Sequence, residues 1–120
     1  MARSRIEIGI DCRDPETLAP FWASALGYQI GDLDRAGVYL DLVPPDPSLP
    51  GVYLQRVPED KVTKNRLHLD LYDTDPVGLT ERLVALGATR VGAPQAGSEG
   101  GWWQVMEDPV GNEFCVCDAR

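Results

Sequence analysis

The 120-residue chain is 43% hydrophobic and 25% charged, the balance of a soluble globular domain that can bury a core without staples. Its net charge of −8 denies it the basic footprint that a nucleic-acid backbone demands, and no apolar run approaches the ~20 residues that span a bilayer. The acidity suits a cationic ligand.

The first ten residues, "MARSRIEIGI", hold basic side chains but no long apolar segment with a cleavage site. No secretory signal is expected, and the expected location is cytoplasmic. Within "RIEIGID" (5–11) the alternation predicts a strand, with Ile6, Ile8 and Ile10 beneath the following helix and Glu7, Gly9 and Asp11 on the other face. "DPETLAPFWASALGYQI" (14–30) then opens with an Asp-Pro N-cap and carries Leu18, Phe21, Trp22, Ala25 and Leu26 at helical spacing. Gly27 supplies a left-handed stop. Three extended runs follow, "YQIGD", "GVYLDLV" and "GVYLQRV", the last two joined by the proline-rich "PPDPSLPG".

The second half repeats this grammar. "RLHLDLY" (66–72) alternates, with Leu67, Leu69 and Leu71 expected beneath a helix and His68, Asp70 and Tyr72 opposite. "DPVGLTERLVALGATRV" (75–91) is the helix, with Leu79, Leu83 and Leu86 on its apolar face and Gly87 at its end. "ATRV", "WWQVMED" and "NEFCVCD" complete three more runs. The helix starts, Asp14 and Asp75, lie 61 residues apart and the two glycine stops 60 apart, about half the chain. The reading is therefore α+β: one domain, residues 1–120, of two pseudo-symmetric βαβββ modules, about 1–61 and 62–120. Helices lie outside curved mixed sheets that form a cup. Glu7 and His68 are equivalent positions in the repeat.

His68 is the only histidine in the chain. Beside Asp70 on a polar strand face it suits a metal ligand, a general acid/base or a pocket-lining group that hydrogen-bonds Glu7. Three cysteines, with Cys115 and Cys117 two apart, make neither a disulfide framework nor a CxxC zinc ribbon. Cys115 reads as a thiolate ligand or as a small apolar strand residue. Trp102 and Trp103, being consecutive on a strand, should face opposite ways, one into core and one over the cup. The preceding "PQAGSEGG" suits a rim or lid loop. "DPVGNEF" is a turn into the last strand, and "KNR" (64–66) a solvated or salt-bridged strand entrance.

The duplication, the "FWASALGY" helix end, "KNRLHLDL" and the closing "DPVGNEFCV" resemble the vicinal oxygen chelate superfamily, above all its glyoxalase-like domains. The superfamily includes glyoxalase I, extradiol dioxygenases, fosfomycin-modifying enzymes and bleomycin-binding resistance proteins. Its metal-using members hold one divalent ion with ligands from the first and last strands of both modules. The resemblance implies Glu7, Gln55, His68 and Cys115 at those places, Cys115 standing seven residues after the Asp108 of the turn, where glyoxalase I has a glutamate. A metal set of His68, Glu7 and Cys115 would take zinc, nickel or manganese, whereas an extradiol iron site needs a second histidine. The implied activity is small-molecule binding in a pocket lined by Gln55, Asp70, Trp102, Trp103 and Cys115. One form is a lyase or isomerase step on a vicinal-oxygen substrate, with Glu7 and His68 catalytic. The alternative is drug sequestration of the bleomycin-resistance kind, and the resemblance also implies a homodimer.

Overall fold

The computed structural model describes residues 5–97 and 100–119. The start of the segment tested for a leader, residues 1–4, and Ser98 and Glu99 of the expected rim loop lie outside them. The chain divides into two compact units, Met1–Asp60 and Lys61–Arg120, matching the repeat.

The first unit runs β1 (Glu7–Cys12), α1 (Pro15–Leu26), β2 (Gln29–Leu33), β3 (Tyr39–Val43) and β4 (Gly51–Arg56). Its four-stranded sheet has the order β1-β4-β3-β2, with β1 parallel to β4 and the other pairs antiparallel. Asp14 caps α1 by accepting from the Glu16 N–H and the Thr17 hydroxyl, and Gly27 ends the helix at φ 70°. That helix lies on β2, β3 and β4. Leu18, Phe21 and Trp22 meet Ile10, Leu40, Leu42, Val52 and Leu54 in a core where each is at most 8% exposed. Ile8 is half-buried. Ile6, expected under the helix, precedes β1 and is 67% exposed.

The second unit runs β5 (Leu69–Asp73), α2 (Pro76–Ala85), β6 (Thr89–Arg90), β7 (Gln95–Ala96), β8 (Trp102–Glu107) and β9 (Glu113–Asp118). Its sheet order is β5-β9-β8-β6, with β5 parallel to β9 and β7 paired to β8. Asp75 caps α2 through the Gly78 N–H. The helix lies on β5 and β9, and Leu79 and Leu83 bury against Phe114, Val116 and Met106. Leu71 and Leu69 are half-buried. Leu67 is 89% exposed, since β5 starts three residues later than the alternation suggested. Part of the expected rim loop is structured: Gln95 and Ala96 pair with Trp103 and Trp102. A Cβ at Gly97 would stand 2.5 Å from the Gly100 carbonyl oxygen, so only glycine allows that close return.

The fold is thus α+β, two βαβββ modules of mixed sheet, the second with a two-residue strand added. Among the described residues no helix is long and apolar enough to cross a membrane.

Candidate functional site

In the second module the ladders decide which side chains share a face. Cys115 on β9 stands opposite Asp70 on β5 and Val105 on β8, and Cys117 opposite Tyr72 and Trp103. The intervening residues, Phe114, Val116, Gln104 and Met106, bury toward α2. The sheet's other face therefore carries Asp70, Tyr72, Trp103, Val105, Cys115 and Cys117, and it is hollow. A concavity of about 510 Å³ is lined by these residues together with Lys64, His68, Trp102 and Asp118. Both tryptophans line it, so neither is spent wholly on the core. Trp22 and Phe21 take that role in the first module, packed edge to face at 5.2 Å.

His68 precedes β5, and its Nδ1 lies 3.0 Å from the Asp70 carboxylate. The Cys115 thiol is the third member of the group: one ligand atom from each of His68, Asp70 and Cys115 falls within 4.8 Å of the others. Burial pushes the Cys115 thiol above its ordinary range, and the Asp70 carboxylate that it meets pushes it further. Cys117 is driven up to about 11, first by burial, then by the charge of Asp70 and by Cys115. Without a cation, both thiols are therefore protonated at neutral pH.

This donor chemistry fits a borderline-soft divalent ion. Nitrogen, carboxylate oxygen and sulfur are zinc's usual ligands, and neighbouring ligands on tetrahedral zinc stand about 3.4 Å apart at ordinary bond lengths. The three side chains would close by about 1 Å, within the reach of surface rotamers.

Two features escaped the sequence reading. Gln104 is 1% exposed, and its amide donates to the carbonyls of Val105 at 2.9 Å and Gly92 at 3.1 Å, pinning the chain after β6. Glu113 begins β9 and accepts from the Asn65 N–H at 2.9 Å while pairing with Lys61 at 3.2 Å. The two Glu113 contacts hold residues 61–65, the approach to His68. Burial pushes Glu113 up, but the Asn65 N–H and the Lys61 ammonium outweigh it and hold the carboxyl below its ordinary value. A buried glutamine and a strand-edge glutamate carry no local pattern that announces a partner so distant in sequence.

Glu7 and Gln55 belong to the first module. Glu7 lies 3.7 Å from the Arg5 guanidinium and faces Gly51. Gln55 pairs with Asp11 and Tyr39. The registers revise one equivalence: Gln55 opposite Asp11 matches Cys117 opposite Tyr72, so the counterpart of Cys115 is Tyr53, opposite Gly9. Tyr53 lies across that glycine, where a Cβ would meet its hydroxyl at 2.6 Å, and packs edge-on to Tyr39 at 5.9 Å.

A duplicated βαβββ chain with a polar hollow on one sheet defines a class of small-molecule-binding folds. Within it, this chain belongs to the glyoxalase-like domain family, whose sequence profile matches residues 7–117. Solved structures agree on the fold. A glyoxalase/bleomycin resistance protein/dioxygenase family enzyme from Burkholderia phytofirmans PsJN superposes with a TM-score of 0.76 at 17% identity, covering 95% of this chain and 97% of its own. The fosfomycin resistance protein FosX from Mesorhizobium loti gives 0.74 at 16% identity, covering 100% and 95%. Lactoylglutathione lyase from Agrobacterium tumefaciens gives 0.66 at 15% identity, covering 99% and 96%. A sequence search among curated proteins finds no match.

Proposed function

We propose that the protein binds a small, planar or cationic organic molecule in the second module's concavity, as a sequestering protein of the bleomycin-resistance kind. The observation that carries this reading is the lining itself. Trp102, Trp103 and Tyr72 offer aromatic surface beside the carboxylates of Asp70 and Asp118. Aromatic faces and carboxylates together attract cations that water would otherwise keep. A protein of the same fold carries the name fosfomycin resistance protein.

The test is a fluorescence titration with a panel of cationic aromatic compounds, bleomycin included, and neutral isosteres. Trp103→Phe and Trp102→Phe each reduce the quench, and Asp70→Asn weakens the cationic compounds by about tenfold while sparing the neutral ones. Trp22, buried in the first module, provides the constant background. If no compound in the panel perturbs the emission or the melting temperature, the reading falls.

A second reading, a metal-dependent lyase or isomerase, is favoured by the grouping of His68, Asp70 and Cys115. His68, Asp70 and Cys115 would hold a divalent ion, which would supply Lewis acidity to the vicinal oxygens of a substrate. The chain's own share is to orient that substrate against Trp103 and Val105. A homodimer in the cytoplasm completes the proposal, and size-exclusion chromatography with light scattering checks the assembly.

A further inference from the structure

We infer that the second module by itself holds a zinc-class cation, with His68, Asp70 and Cys115 as its three protein ligands and Asp70 in the place the family pattern gives to residues of the first module. This deepens the reading of the same concavity, and it departs from the set of Glu7, Gln55, His68 and Cys115. Two ladder facts carry it. Asp70 and Cys115 are directly paired residues of neighbouring parallel strands, so their side chains rise together from one face. His68, one residue before the strand, brings its ring nitrogen to 3.0 Å from the Asp70 carboxylate, close to the spacing of neighbouring zinc ligands.

The first-module candidates are engaged otherwise. Glu7 faces Arg5, and the ladder position equivalent to Cys115 is a tyrosine whose ring lies across Gly9. Charge points the same way. With the thiol ionised on binding, one carboxylate and one thiolate neutralise a divalent ion, and the imidazole completes a nitrogen–oxygen–sulfur set. Sulfur and nitrogen donors select zinc or cobalt over magnesium or calcium, which prefer oxygen alone. Three protein ligands leave a position for water or a bound molecule on the side of Trp103 and Val105, as open zinc sites do.

The full chain, made without a histidine tag and stripped with chelator, is dialysed against zinc and separately titrated with cobalt. The wild type takes up one equivalent of zinc and develops a sulfur-to-cobalt charge-transfer band. Cys115→Ser loses that band, Asp70→Asn lowers zinc affinity by about tenfold or more, and His68→Gln does the same. Circular dichroism and melting of the metal-free variants match the wild type, because all three side chains sit at the surface of the hollow. Glu7→Gln and Gln55→Ala leave stoichiometry and affinity within about twofold. The inference is overturned if the wild type takes up no zinc, or if Glu7→Gln abolishes uptake while Asp70→Asn does not. Absence of zinc uptake with retained quenching by a cationic aromatic compound would sink this inference alone and leave the binding function standing.

Discussion

Asp108 offers the most direct test of how the hollow is built. The residue is 2% exposed in the turn between β8 and β9. Its carboxylate accepts from the Val110 N–H at 2.9 Å, the Asn112 N–H at 2.9 Å and the Asn112 side-chain amide at 3.1 Å. Asp108→Ala removes the acceptor of all three bonds at once. Bonds to a charged acceptor contribute about 1.5–3 kcal/mol each, but Val110 is exposed and water can replace its partner, so a total of roughly 2–4 kcal/mol is expected. Asp108→Asn keeps a carbonyl oxygen for the two backbone donors and sets an amide against the Asn112 amide, so about 1 kcal/mol is lost. Equilibrium urea unfolding measures both, with an unchanged slope showing that the two-state comparison holds. The turn sets the register in which Glu107 faces Glu113 and Val105 faces Cys115, so the alanine variant should also weaken ligand quenching. An alanine variant within about 0.5 kcal/mol of wild type would refute the claim that this carboxylate organises the turn.

Three further outcomes follow from the same geometry. In metal-free protein, alkylation of Cys115 and Cys117 at pH 7.5 is slow and quickens as pH rises, for Cys117 up to about 11, followed by mass spectrometry of the modified peptides; fast alkylation at pH 7.5 would contradict the raised thiols. Because Glu113 is held below its ordinary value of 4.5, its contribution is present above that pH and lost as the pH falls through the lower, folded value. Glu113→Gln should thus be less stable than wild type at pH 7 and converge on it in acid, and a constant gap in melting temperature across that range would exclude the mechanism. Leu83→Ala, at a position with no exposure on the inner face of α2, should cost roughly 2–5 kcal/mol in thermal or urea unfolding, whereas Leu67→Ala, 89% exposed, should change stability by less than about 0.5 kcal/mol.

Much of the architecture was legible because it is written in local chemistry. Asp-Pro at Asp14 and Asp75 and glycine at Gly27 and Gly87 mark two helices, and period-two alternation marks the strands around them. Repetition of that order at half the chain length implied two βαβββ modules without knowledge of any contact. Local signals failed at the strand margins, where Ile6 and Leu67 continue the alternation but are exposed. The site was legible only as a list of polar residues on one strand face. Periodicity assigns a side chain to a face, but pairing between strands more than 40 residues apart decides its neighbours. That pairing brought Asp70 beside Cys115 and put Tyr53 rather than Gln55 in the matching place. Helices, strands and their duplication follow from the order of the residues alone, because caps, turns and alternation act within a few residues. Only the tertiary structure decided which donors meet, because register is settled by the burial of Phe114, Val116 and Met106 beneath α2, and each residue of slip would have turned the whole face over.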